Sequence, residues 1–138
     1  KKNLFYPGAL DILNFLKINK IKIGLVTSSH IDQVIKSSSL GFRKKFDVII
    51  AGEDTKRNKP YPDPYLLGLE KLNLSSEECV VIENAPIGIK SAIQAGIFTI
   101  AVTNTVNKKS LNEADAIIDD LKYIKKYFIN KKWKNIIY

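Results

Sequence analysis

The sequence predicts an α/β fold of the Rossmann-like type, a parallel sheet with helices on both faces. Short apolar runs that can form strands alternate with longer segments of helical periodicity. The runs are continuously apolar, which is typical of parallel strands buried on both sides. Polar residues directly follow several of these runs, as expected for functional turns at the carboxyl ends of parallel strands.

The length of 138 residues suits one domain, and no repeat or low-complexity linker divides it, so we expect residues 1–138 to form a single domain. The apolar runs predict five strands, the last of them brief. They are Ile21–Val26, Phe46–Ile50, Cys79–Ile82, Phe98–Val102 and Ala116–Ile118.

Five helices are predicted around these strands. The first starts at Pro7 and has an apolar side made by Leu10, Ile12, Leu13, Phe15 and Leu16. The others are Ile31–Leu40, closed by Gly41 as a left-handed cap, Pro64–Leu72, Ile87–Ala95 and an amphipathic helix that closes the chain from about Leu121, with Leu121, Ile124 and Phe128 on one side.

The basic composition is concentrated at the carboxyl end. The formal charge is +8, but residues 121–138 hold six lysines and no acidic residue, so residues 1–120 carry only +2. Lysine rather than arginine supplies nearly all of the positive charge, whereas arginine is the usual residue of specific base or phosphate readout. A solvated helix face explains this excess, and nucleic-acid binding is not expected.

No membrane association is expected either, since no apolar run approaches the length of about eighteen residues that spans a bilayer. The single cysteine, Cys79, cannot form an internal disulfide, which favours a reducing compartment, the cytoplasm. We interpret Cys79 as a buried strand residue. The chain has no methionine, and we expect it to be part of a longer product.

Two segments carry the strongest functional signal. The first places Lys59 in the proline-braced loop Asn58–Asp63, where the lysine could neutralise a phosphoryl group. The alternative is an ordinary exposed loop lysine. The second places Glu83 at the end of an apolar strand, beside Asn84, so that two oxygen donors could bind Mg²⁺. A helix cap through Asn84 is the alternative.

Hydroxyl side chains follow the first predicted strand. Thr27 and Ser28 could bind phosphate through the Thr27 hydroxyl and the next backbone N–H groups. The alternative is that Thr27, Ser28 and Ser29 only cap the following helix. His30 is the single histidine, and we expect it to occupy a helix start or a surface position rather than contact substrate.

From about Tyr6 to Leu121, the chain resembles the haloacid dehalogenase superfamily of phosphohydrolases, especially its beta-phosphoglucomutase-like branch. Ile23–Thr27 is similar to the family's second motif, whose hydroxyl binds the transferring phosphoryl group. Lys59 in Lys-Pro-Tyr-Pro-Asp is similar to its third, the lysine that stabilises the phosphorylated enzyme. Val81–Asn84, with Gly88 and Ala92–Gly96, is similar to its fourth, which binds Mg²⁺.

The chain departs from the family pattern in three respects. Asn84 offers a neutral oxygen where many relatives offer a second carboxylate. The first motif, Asp-x-Asp-x-Thr, which in the family supplies the nucleophile, is absent, and so is the cap domain that selects substrate. The first motif follows the central strand of the family sheet, between the strands that here are Ile21–Thr27 and Cys79–Glu83. We expect an earlier segment to supply this strand, because two buried strands would otherwise be unpaired or would pair directly.

The resemblance implies the carboxy-terminal portion of the core of a Mg²⁺-dependent phosphatase or phosphomutase that acts through an aspartyl-phosphate. Its substrate is expected to be a small phosphorylated metabolite such as a sugar phosphate, and the nucleophile lies outside the chain, which by itself is expected to be inactive. The alternative is a non-catalytic, degenerate domain that binds a phosphorylated ligand or a partner protein. A weaker alternative function is nucleic-acid binding through the lysine-rich carboxyl end.

Overall fold

The computed structural model describes residues 8–103, 108–129 and 135–137, which contain six helices and six strands. The strands are β1 (Ile23–Val26), β2 (Val48–Ile50), β3 (Cys79–Glu83), β4 (Phe98–Val102), β5 (Ala116–Ile118) and β6 (Asn135–Ile137). The helices are α1 (Ala9–Ile18), α2 (Ile31–Ser37), α3 (Leu40–Arg43), α4 (Asp63–Leu72), α5 (Pro86–Gln94) and α6 (Ile124–Ile129).

All six strands pair in parallel in one sheet, in the order β2-β1-β6-β3-β4-β5. Helices cover both faces, as the two sides of β3 illustrate. Val80 and Ile82 pack with residues of α1 and α6, whereas Cys79 and Val81 pack with residues of α4 and α5. The interior strands β1, β3 and β4 are buried along nearly their whole length, which is why their sequences are continuously apolar. The predicted Rossmann-like fold is confirmed.

Near the starts of two buried strands, the backbone donates a hydrogen bond to an aspartate side chain. The Asp47 carboxylate accepts a hydrogen bond of 2.8 Å from the backbone N–H of Ile23, and Asp115 accepts one of 2.8 Å from Thr99. The predicted strand Ile21–Val26 therefore begins two residues later, at Ile23, where this hydrogen bond is made.

The segment after β1 differs from the prediction. The helix Ile31–Leu40 is interrupted, because Ser38 adopts an extended backbone and α2 ends at Ser37. The hydroxyls of Ser37 and Ser38 donate to carbonyls one turn back, and Ser39 caps the new helix α3. The hydroxyls of these three consecutive serines thus form hydrogen bonds with the backbone that compete with the helical ones, and the helix ends there. Gly41 lies inside α3, so its predicted role as a left-handed cap is wrong.

The first and last helices agree with their predicted faces in most positions. Pro7 lies outside the described residues, and α1 buries Ala9, Ile12, Leu13 and Leu16 but leaves Leu10 exposed. At the carboxyl end a short 3₁₀ turn at Leu121–Tyr123 leads into α6, and Leu121, Ile124 and Phe128 are buried as predicted. The helix does not close the chain, however, since β6 follows it. No helix of the described residues is long and apolar enough to cross a membrane.

β6 occupies the centre of the sheet, where the sequence predicts a gap. It pairs with Ile23 and Gly24 of β1 and with Cys79, Val80 and Val81 of β3. β1 and β3 therefore do not pair directly. Both continue for two residues beyond their last pair with β6, to Val26 and Glu83 respectively. The carboxyl-end half of the central position is thus bordered by β1 and β3 but filled by no described strand.

Cys79 makes the stability of the fold sensitive to alkaline pH. Burial raises the pKa of its thiol from 9.0 to about 11, with a further contribution from the Glu78 carboxylate and an opposing one from Lys22. The folded state therefore disfavours the thiolate, and this stability is complete below pH 9 and is lost as the pH rises from 9 to 11.

We predict that the free energy of unfolding of the unsubstituted protein falls by about 2 kcal/mol more between pH 9 and 11 than that of Cys79→Ala. Urea unfolding at several pH values measures both curves. The alanine variant is less stable at neutral pH because the substitution leaves a small cavity. The comparison therefore uses the change of the unfolding free energy with pH, not its absolute value. If the free energy of unfolding changed with pH in the same way in both proteins, the result would contradict a buried neutral thiol at Cys79.

Candidate active site

The ends of β1 and β3 and the loop after β2 meet through the side chain of Lys59. Its ammonium donates to the backbone carbonyl of Val26, the last residue of β1, at 3.1 Å. It also donates to Glu83 Oε2, at the end of β3, at 2.8 Å. The structure therefore brings together Lys59 and Glu83, and it places Thr27 at the next position along the chain from the Val26 carbonyl.

The Lys59–Glu83 pair is buried, since the two side chains are only 10% and 8% exposed. A buried charge is costly unless it is paired and its hydrogen bonds are satisfied. Among the described residues, Val26 and Glu83 accept hydrogen bonds from two of the three N–H groups of the Lys59 ammonium, so the third has no acceptor there. Lys59 is thus not an ordinary exposed loop lysine.

Glu83 receives two further hydrogen bonds. The hydroxyl of Tyr65 on α4 donates to Glu83 Oε2 at 2.7 Å, and the backbone N–H of Asn84 donates to Oε1 at 3.0 Å. The sequence analysis does not include Tyr65 in the site, although a signal for its burial exists. Tyr65, Leu69 and Leu72 follow helical spacing and are all buried, so Tyr65 belongs to the inner face of α4.

Gly88, in the first turn of α5, makes room for the Glu83 carboxylate. A Cβ atom at this position would lie 2.0 Å from Glu83 Oε2 and 2.1 Å from its carboxyl carbon. The carboxylate cannot move aside freely, because Lys59 and Tyr65 both hold Oε2. Only glycine is therefore compatible with the observed position of the carboxylate against α5.

The loop that carries Lys59 is held by its own side chains. Arg57 forms two hydrogen bonds with Asp63, of 3.2 and 3.0 Å, and its guanidinium lies over the ring of Tyr61 at 4.6 Å. Asn58 donates to the carbonyl of Gly52 at 3.2 Å. The hydrogen bonds of Arg57 and Asn58 thus hold the loop at the two residues before Lys59 and at Asp63 after it.

The turn after β1 is compact. Thr27 Oγ1 accepts a hydrogen bond of 3.1 Å from the backbone N–H of Ser29. Gly52 packs closely against this turn, since a Cβ on it would lie 2.3 Å from the Ser28 carbonyl oxygen.

The residue before α2 is His30, whose side chain makes no cap, and Glu53 instead accepts from the first N–H of the helix at 3.0 Å. The interpretation of Thr27 to Ser29 as caps of α2 is therefore wrong.

His30 has the position expected from the sequence, at a helix start on the surface. Its side chain is 74% exposed and lies 3.8 Å from the Glu53 carboxylate. Backbone hydrogen bonds lower the pKa of Glu53, and His30 adds a smaller effect in the same direction. This contact connects the turn after β1 with the turn after β2, but the histidine contacts neither Lys59 nor Glu83.

Glu83 and Asn84 provide oxygen atoms of the kind that Mg²⁺ prefers. The residue directly before α5 is Ala85, not Asn84. Among the described residues, no group of three or more histidine, cysteine or acidic side chains is arranged to hold a metal ion. Glu83 and Asn84 therefore fit part of a magnesium site, and further ligands would have to come from elsewhere.

Comparison with known proteins gives consistent matches. The sequence matches the family described as haloacid dehalogenase-like hydrolase over residues 1–102. It is 36% identical over 115 residues to validoxylamine A 7'-phosphate phosphatase of Streptomyces hygroscopicus subsp. limoneus, covering 83% of this chain and 54% of that protein. It is 36% identical over 118 residues to hexitol phosphatase A of Escherichia coli K12, covering 86% and 55% respectively.

The fold is similar to that of a solved beta-phosphoglucomutase from Clostridium difficile, with a TM-score of 0.76 and 32% identity, over 90% of this chain and 56% of that one. It is also similar to CbbY from Rhodobacter sphaeroides in complex with phosphate, with a TM-score of 0.76 and 28% identity, over 83% and 53%. The chain spans about half the length of these relatives.

We predict that Gly88→Ala lowers the free energy of unfolding by about 2–4 kcal/mol, because the new methyl group displaces the Glu83 carboxylate from its partners. Gly41→Ala is the matched control, since a Cβ there meets no atom within 4 Å and the residue lies in a helix. It is expected to leave the stability unchanged or to raise it by up to about 1 kcal/mol. Equal effects of the two substitutions in urea unfolding would contradict the close contact at Gly88.

Proposed function

Because this chain belongs to the haloacid dehalogenase-like hydrolase family, we propose that it is part of a Mg²⁺-dependent phosphatase or phosphomutase. The observation that carries the proposal is the buried contact between Lys59 and Glu83 at the carboxyl ends of the strands. In this contact the Lys59 ammonium lies beside the Glu83 carboxylate. An ammonium can bind a phosphate and a carboxylate can bind a divalent ion, so the pair offers both kinds of group.

In this proposal Lys59 and Thr27 bind oxygens of the phosphoryl group. The Lys59 ammonium uses its remaining N–H for this purpose, while Val26 and Glu83 hold the ammonium in place. Ser28 contributes from the compact turn that follows β1. Fixed donors of this kind stabilise the charge of a transferring phosphoryl group, because they need not reorganise during the reaction.

Glu83, through Oε1, and Asn84 would hold the magnesium ion. The ion would supply positive charge beside the phosphate, and its remaining ligands would come from outside the described residues. The neutral amide of Asn84 makes this pair less negative than two carboxylates, so we expect weaker binding of Mg²⁺ than at a site with two acidic side chains.

The nucleophile, an aspartate that forms an aspartyl-phosphate, belongs in this proposal to a segment outside the chain. The segment would pair in the central position between β1 and β3, whose amino-end half is occupied by β6 in this structure. A strand that ran the full length of this position would replace β6, and it would end beside Val26 and Glu83, the residues that contact Lys59. The chain by itself is accordingly proposed to be inactive.

We propose a small phosphorylated metabolite, such as a sugar phosphate, as the substrate, and the cytoplasm as the location. Support for the substrate class comes from the relatives, which are named as phosphatases and a phosphoglucomutase. Asn84 and the absence of the first motif from this sequence favour the alternative of a non-catalytic binding domain. The presence of Thr27 and of Lys59, the latter in contact with Glu83, disfavours it.

We predict that Lys59→Ala in the complete gene product lowers phosphatase turnover with Mg²⁺ by about 10²–10³-fold, the loss typical of a donor that stabilises the reacting group. Lys56→Ala is the matched control, since Lys56 is an exposed lysine of the same loop. It is expected to retain full turnover. A screen of sugar phosphates measures the activity of both variants.

Unchanged turnover in Lys59→Ala would overturn the role of this lysine. Binding of phosphate by the complete product without any turnover would favour the non-catalytic alternative. Because removal of Lys59 leaves Glu83 without its charged partner, circular dichroism must show that the variant is folded. Thr27→Ala, which removes only a hydroxyl group, provides a second test with less effect on folding.

A further inference from the structure

Tyr65 touches both members of the Lys59–Glu83 pair. Its side chain is completely buried on the inner face of α4. Its hydroxyl donates to Glu83 Oε2 at 2.7 Å, and its ring centroid lies 5.2 Å from the Lys59 ammonium. One aromatic side chain therefore contacts the carboxylate through its polar end and the ammonium through its face.

We propose that Tyr65 is a positioning residue, whose hydroxyl holds the Glu83 carboxylate so that Oε2 anchors Lys59 and Oε1 remains for the cation. This inference rests on the function proposed above, in which Lys59 binds phosphate and Glu83 binds magnesium. It adds a residue that touches neither ligand and acts through the two residues that do.

The arrangement of donors around Glu83 supports this role. Lys59 and Tyr65 both bind Oε2, whereas Oε1 accepts from the backbone N–H of Asn84. A carboxylate with one donor could rotate about its terminal bond. Three donors define one orientation, and they come here from a loop, from a helix and from the residue that follows the strand of Glu83. Among these donors Tyr65 is the side chain carried by a helix, and its ring is fixed by packing in the core.

The chemistry of the hydroxyl fits a permanent donor. Burial raises the pKa of Tyr65 well above its ordinary value of 10.0, and the charge of Glu83 and the hydrogen bond to it raise it further. A buried hydroxyl without a partner would be costly, and phenylalanine would pack here without that requirement.

The test compares Tyr65→Phe with Tyr61→Phe in the complete gene product. Tyr65→Phe removes only the hydroxyl and keeps the ring beside Lys59. Tyr61→Phe makes the same chemical change four residues earlier, on a half-exposed ring that stacks with Arg57. NMR titration with inorganic phosphate in the presence of Mg²⁺ measures binding even when the affinity is millimolar.

We predict that Tyr65→Phe weakens phosphate binding by about tenfold, a loss typical of a residue that orients a ligand-binding side chain. Tyr61→Phe is expected to leave the affinity unchanged. A purely structural role for Tyr65 would lower the midpoint of thermal unfolding but leave the phosphate affinity of the folded chain as it was. That outcome would overturn the inference while leaving the proposed function intact.

Two further outcomes are decisive. If the unsubstituted complete product binds no phosphate, the proposed function fails, and the inference fails with it. If Tyr65→Phe does not fold, the hydroxyl proton of Tyr65 is observed in the unsubstituted product instead. A slowly exchanging hydroxyl signal that shifts when phosphate is added supports the role, whereas a signal that does not respond to phosphate overturns it.

Discussion

A buried ion pair between Lys59 and Glu83 connects the elements that meet at the carboxyl edge of the sheet. The lysine reaches from the loop after β2 to the last carbonyl of β1, and the glutamate is the last residue of β3. Tyr65 ties the pair to α4, and Gly88 leaves the space against α5 that the carboxylate occupies. Five elements therefore depend on the position of one carboxylate group.

This dependence has an energetic reason. A carboxylate and an ammonium out of water are tolerated only when the pair is well aligned and its other hydrogen bonds are satisfied. The surrounding structure therefore has to supply donors and acceptors in fixed places, which it does from a backbone carbonyl, a tyrosine hydroxyl and a backbone N–H group. In the proposed function the same contacts would serve ligand binding, because they hold the Lys59 ammonium in one orientation.

Local sequence patterns predict much of this arrangement. Continuous apolar runs specify buried strands, and for that reason Thr27 and Glu83 could be placed at strand ends and Lys59 in the loop between them. What the patterns miss is determined by distant contacts. The hydroxyl of Tyr65 matters because β3 brings Glu83 to it, and β6 is visible only when its pairing with β1 and β3 is known. The break after α2 arises from serine hydroxyls that compete with the helix backbone.

The most direct test of the central pair is a double-mutant cycle on the free energy of unfolding, with Lys59→Met, Glu83→Gln and the double variant. Each single substitution leaves one buried charge without its partner and is predicted to cost about 3 kcal/mol or more. In the double variant no charge remains, so its loss of stability is predicted to be smaller than the sum of the single losses by at least about 2 kcal/mol. Losses that add to within about 0.5 kcal/mol would contradict the pair as the interaction that organises this edge of the sheet.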